Sequence, residues 1–122
     1  MMFSKGGIIV NSVMLVGRLA HDIDVKTLES GKEVTRLALA VNRSFKNADG
    51  TYDVDHFDCI LWDGLAVNTG LFCKKGDTVG IKGRLQTSLY EKDEQIHKAV
   101  EVIVEKVTFL SSKREEQKEE EA

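Results

Sequence analysis

At 122 residues, 42% of them apolar, the chain suits one globular domain around a single core and is too short for two. No apolar run reaches the roughly 18 residues of a membrane-spanning helix. The opening MMFSKGGIIV also lacks the apolar run of about 7 to 15 residues that a secretory signal needs, so a cytoplasmic protein is expected.

The net charge of −3 promises no general attraction to nucleic acid, yet it is unevenly placed. Residues 113–122, KREEQKEEEA, carry three positive and five negative charges; the remainder holds 14 Lys and Arg against 15 Asp and Glu. A near-neutral domain can still hold phosphates if its cations share one face, because local potential outweighs the sum. Cys59 and Cys73 stand far apart with no C-x-x-C, which suits free buried thiols. His21, His56 and His97 have no metal-ligand spacing, and no cofactor or metal is expected. The chain has no P-loop, dinucleotide fingerprint or Ser-His-Asp arrangement, so nothing in it favours an enzyme.

In chain order, residues 8–20 predict a long strand with Val13, Leu15 and Leu19 on one face. Its other face, Ser12, Met14, Val16 and Arg18, is half apolar, which suits either a subunit interface or a packed loop. Residues 21–33 are polar, with a turn at Ser30-Gly31. Residues 34–42 alternate again, with Leu37, Leu39 and Val41 inward and a shallow outer face of Arg36, Ala38, Ala40 and Asn42. Asp49-Gly50 marks a hairpin, at whose start Arg43, Phe45 and Lys46 put a ring between two cations.

Residues 56–63 predict a strand with Phe57, Cys59 and Leu61 inward and His56 and Trp62 on the opposite side. A short helix follows, with Leu65, Ala66, Thr69, Leu71 and Phe72 at helical spacing, Lys74 and Lys75 at its C-terminus and Gly76 just beyond. In the strand 78–90, Val79, Ile81, Gly83, Leu85, Thr87 and Leu89 form a core stripe. Lys82, Arg84, Gln86, Ser88 and Tyr90 share the other face. Were these two strands neighbours, rings and cations would meet on one surface, the chemistry that holds unpaired nucleic acid. EKDEQ is a second hairpin loop. Residues 96–110 predict the last strand, with Val100, Val102 and Val104 on its core face.

Three strands, a helix and two strands, joined by short hairpins, predict an all-β protein: a five-stranded OB-fold Greek-key barrel with one short helix between strands 3 and 4. The folded domain is expected over residues 1–110. Residues 111–122 are expected to be a short, charged, disordered tail.

Five blocks, VMLVGRLAHD, LALAVNRSF, DHFDCILWDGLA, KKGDTVGIKGRLQT and VEVIVEKVTFL, resemble in order and spacing the bacterial single-stranded DNA-binding protein family, over about residues 10–110. The resemblance implies an OB-fold homotetramer, with a dimer left open. It also implies that the protein wraps and protects single-stranded DNA without sequence preference during replication, recombination and repair. The family's base-stacking positions fall on Phe45, His56, Trp62 and Tyr90. Its phosphate-contacting positions fall on Arg43, Lys46, Lys75, Lys82 and Arg84. Where His56 stands the family more usually has Trp or Phe, so a weaker, pH-sensitive stack is expected there, with bulk shifted to Phe57 on the opposite face.

Cellular members of the family end in an acidic tip closed by a hydrophobic residue that recruits replication and repair enzymes. This chain ends in KEEEA, with the acidity but without the apolar residue, and that recruitment is left open. Two other readings compete with a single-stranded DNA binder. One is an OB-fold protein-interaction module, of the primosomal accessory kind, with weak nucleic-acid binding. The other is an RNA-binding module, since stacking does not sense the 2′-hydroxyl.

Overall fold

The alternation in the sequence becomes strands wherever one side can be buried. A computed structural model describes residues 8–111. Its elements are β1 (Val13–Leu19), β2 (Lys26–Thr27), β3 (Glu33–Lys46), β4 (Tyr52–Trp62), α1 (Asp63–Phe72), β5 (Thr78–Lys92) and β6 (Gln95–Ser111). The sheet order is β1-β5-β6-β4-β3-β2, and β1 also pairs with β3, which closes five long strands into a barrel. All pairings are antiparallel except β4 with β6. This is the predicted OB-type barrel, with α1 between its third and fourth long strands.

The core is built from the predicted inward faces: Leu19 of β1, Leu37 and Leu39 of β3, Cys59 and Leu61 of β4, Val79 and Ile81 of β5, Val102 and Val104 of β6. Helix α1 packs against β3, β4 and β6 and adds Ala66 to this cluster. Phe57 is partly buried against the core, on the face expected of it. Gly83 lies where β5 passes β6 so closely that a Cβ there would run into the carbonyl oxygen of Ile103. Both cysteines are free and buried.

Several boundaries differ from the sequence reading, each for a physical reason. β1 begins at Val13 rather than residue 8, because Asn11 meets Leu85 with its side chain. Its amide donates to the Leu85 carbonyl and its oxygen accepts the Leu85 N–H, both at 2.8 Å, in place of a backbone ladder. Within the polar segment 21–33, β2 pairs Lys26 with Val34 and Thr27 with Glu33 across the predicted turn, where Gly31 has φ 89°. Helix α1 stops at Phe72, before Lys74 and Lys75. The loop beyond it is held instead by the Asp77 carboxylate accepting the Lys74 N–H, and by Gly76 N–H donating to Leu19 O.

The core stripe of β5 ends at Gly83. Leu85 is 45% exposed and Leu89 70%, and Val100 opposite Thr87 is 58% exposed, because the β5–β6 hairpin runs on past the barrel and has nothing to pack against. The expected tail lies outside the described residues, apart from Ser111 at the end of β6.

Candidate nucleic-acid interface

Strand alternation leaves each barrel strand a second, outward side. On β4 that side carries His56, Asp58, Ile60 and Trp62, between the inward Phe57, Cys59 and Leu61. Trp62 is 41% exposed while Leu61 beside it is fully buried. Register fixes what flanks them. Val34, Arg36, Ala38 and Ala40 of β3 lie opposite Trp62, Ile60, Asp58 and His56 in turn. On the other side Ile60 meets Ile103 of β6, which in turn faces Arg84 of β5.

The strand bearing His56 and Trp62 and the strand bearing Arg84 and Tyr90 are therefore not neighbours. β6 lies between them, because barrel closure inserts the last strand parallel to β4. The surface is nevertheless continuous across β3, β4, β6 and β5, and β6 contributes His97, Ala99, Glu101 and Ile103 to it.

Tyr90 lies opposite His97, their rings stacked with centroids 5.3 Å apart and planes 22° from parallel. Phe45 is 82% exposed in the β3–β4 hairpin. Next to it Lys46 pairs with Tyr52, its ammonium 5.8 Å from the ring centroid, within the range of a cation–π contact.

The other cations differ in what holds them. Arg43 is engaged by carboxylates: its Nε donates to Asp55 Oδ2 at 3.1 Å and its Nη2 to Asp55 Oδ1 at 3.0 Å, and Asp53 stands 3.5 Å from Nη1. The hydrogen bond to Asp55 and the adjacent negative charge raise the Arg43 pKa, and the same bond holds the Asp55 carboxyl below its usual value. Arg84 donates to Gln86 on the ring-bearing face, at 2.9 Å. Lys82 shares the outward side of β5 with Arg84, nearer the start of the strand, and Lys75 stands off the strands. Lys75 is in the α1–β5 loop, its N–H bonded to Asp22, and Lys82 stands between Met14 of β1 and Lys106 of β6.

Strand alternation turns Arg36 outward, but alternation alone does not join it, Tyr52, His97 and Glu101 to this face. His97 had a readable signal: a two-residue turn at Asp93-Glu94, both with positive φ, pairs Tyr90 with His97 by counting back. Glu101 had none, since a carboxylate in a valine-rich strand looks like an ordinary polar face.

Among the described residues no group of three or more His, Cys, Asp or Glu could hold a metal, and no helix is long and apolar enough to cross a membrane. A closed barrel with open rings strung across its outward side is the build of an OB-fold binding protein, not of a catalytic pocket.

Comparison with known proteins agrees. The model described as the Single-strand binding protein family matches residues 10–110. Single-stranded DNA-binding protein B of Bacillus subtilis (strain 168) is 47% identical over 107 residues, 87% of this chain and 95% of that protein. Single-stranded DNA-binding protein 3 of Listeria innocua is 41% identical over 106 residues, covering 86% of this chain and 66% of the longer relative. Single-stranded DNA-binding protein 3 of Streptococcus agalactiae is 38% identical over 109 residues, 88% of this chain and 79% of its own length. The chain belongs to the single-strand binding protein family.

Proposed function

We propose that this chain binds and shields single-stranded DNA without sequence preference, as a non-enzymatic partner of replication, recombination and repair. Bases stack on Phe45, His56, Trp62 and Tyr90, and phosphates meet Lys46 and Arg84, with Arg43, Lys75 and Lys82 as further contacts. The observation that carries this reading is Trp62, a large ring left 41% exposed on a barrel strand whose inward Cys59 and Leu61 are fully buried. Each stacked base is worth about 1 to 3 kcal/mol by alanine substitution. Four rings therefore supply on the order of 4 to 12 kcal/mol per subunit before the strand is ordered. Phosphate contacts add a salt-sensitive part, with a slope of about −0.7 per neutralised phosphate. A near-neutral domain makes stacking the larger share.

The working form is a homotetramer in the cytoplasm, associated with the nucleoid. Its support is β1, which pairs with β3 only at Arg18 and Leu19 and leaves the rest of that edge open. Met14 and Val16 stand out from it, 79% and 58% exposed, over a groove also lined by Lys82, Lys106 and Leu110. No loop among the described residues covers them. An open strand edge with apolar side chains is a template for a second copy.

The test follows Trp62 fluorescence while oligo-dT is titrated at low and high salt, with a matched duplex as control. Quenching by the single strand alone, surviving added salt, is the expected result. Equal response to duplex, or none, makes the rings structural and the protein an OB-fold interaction module.

A further inference from the structure

His56 and Trp62 stand six residues apart on β4, which places them roughly 20 Å from each other along the strand. Stacked bases in duplex DNA are about 3.4 Å apart, so several nucleotides must pass between the two rings. Asp58 and Ile60 occupy that gap on β4, and neither offers a flat face.

Arg36 crosses it. From its position on β3 opposite Ile60, its guanidinium reaches over β4 to Glu101 of β6, and Nη1 donates to Glu101 Oε2. Glu101 is level with Asp58, two residues before Ile103, so the side chain runs diagonally between Ile60 and Asp58. The two ends differ sharply in environment. The Glu101 side chain is 8% exposed and also accepts from Ser88 Oγ at 3.4 Å, whereas Arg36 is 67% exposed. A buried carboxylate with its own partners thus anchors one edge of an open, planar cation. Ile60 is 6% exposed although it faces outward, as expected if the Arg36 stem lies over it.

We infer that Arg36, held across the sheet by Glu101, is a fifth base-stacking platform between His56 and Trp62. Its flat face, not its charge, is what the strand meets. With its charge balanced by Glu101, the guanidinium offers a flat face to neutral bases rather than a free charge to phosphates. Guanidinium planes stack on π systems as rings do, and lysine cannot replace them in this role. Glu101 is a positioning residue: it fixes the plane and cancels the charge. The inference rests on this face being the strand-binding face.

The test measures oligo-dT binding by fluorescence anisotropy across a salt series, for the full chain and three variants. Arg36→Met keeps the stem over Ile60 and Arg36→Lys keeps the ion pair. Both are expected to bind about tenfold more weakly with the salt slope unchanged. Glu101→Gln is expected to steepen the slope by about 0.7, as the charge of Arg36 is released toward phosphate. Wild-type affinity in Arg36→Lys would reduce the pair to a structural one and overturn the inference. A slope shallower by about 0.7 in Arg36→Met would make Arg36 a phosphate contact and also overturn it. An unchanged slope in Glu101→Gln would remove the positioning role. Failure of the wild-type chain to bind oligo-dT would instead sink the binding reading itself.

Discussion

The ring of Tyr90 lies on that of His97, 5.3 Å between centroids, near the end of a hairpin that has left the barrel. A tyrosine in so open a place would ordinarily be free to swing; the histidine holds one side of it and leaves the other for a base. Such ring pairs are worth about 0.5 to 1.5 kcal/mol. Tyr90→Ala is expected to weaken oligo-dT binding about tenfold. His97→Ala, which removes only the support, is expected to weaken it by a smaller factor. Equal losses in an anisotropy titration would mean that both rings touch DNA.

Stacking and charge can be ranked on the same assay. Trp62 offers a ring for a base, while Lys82, between Met14 and Lys106, offers only a charge that salt screens. Trp62→Ala is therefore expected to lower affinity at moderate salt more than Lys82→Ala. The reverse order would overturn a stacking-led account.

Arg43 and Asp55 give a pH prediction. The bond from Arg43 depresses the Asp55 pKa, so the pair's contribution to stability is complete above the unfolded value of about 3.9. It is lost as pH falls through the lower folded value. The thermal midpoints of wild type and Asp55→Asn should converge as pH drops below about 4. At neutral pH Asp55→Asn should also steepen the salt dependence of DNA binding, since Arg43 gains freedom to meet phosphate.

The thiols should be silent in the folded protein. Burial, with Asp58 nearby, pushes Cys59 up to about 12; burial, with Asp77 nearby, pushes Cys73 up to about 11. The thiolate is the reactive form, so alkylation at pH 8 should label neither cysteine until denaturant is added. Native labelling read by mass spectrometry would contradict the packing around them.

Two glycines should respond in opposite directions. Gly83→Ala drives a methyl into the Ile103 carbonyl and should destabilise by about 1 to 3 kcal/mol. Gly64, in α1, has open space around its Cα, and Gly64→Ala should stabilise by about 0.4 to 1 kcal/mol. Urea denaturation of the two variants checks both signs.

Much of this was settled by the chain read alone. Alternation in 34–42, 56–62 and 78–83 determined which side chains face the core, because a strand turns successive residues to opposite sides wherever it lies. Placing Trp62 opposite to Leu61, and Phe57 inward, needed nothing more. The tertiary structure alone decided which strands adjoin. The parallel entry of β6 beside β4 separates the two ring-bearing strands, and it sets Glu101 within reach of Arg36, 65 residues away. It also decided where the core stops: Leu85 and Leu89 continue the apolar period of β5, yet stand in water beyond the last strand able to cover them. Period is a property of the local backbone, whereas neighbours and cover depend on how the barrel closes.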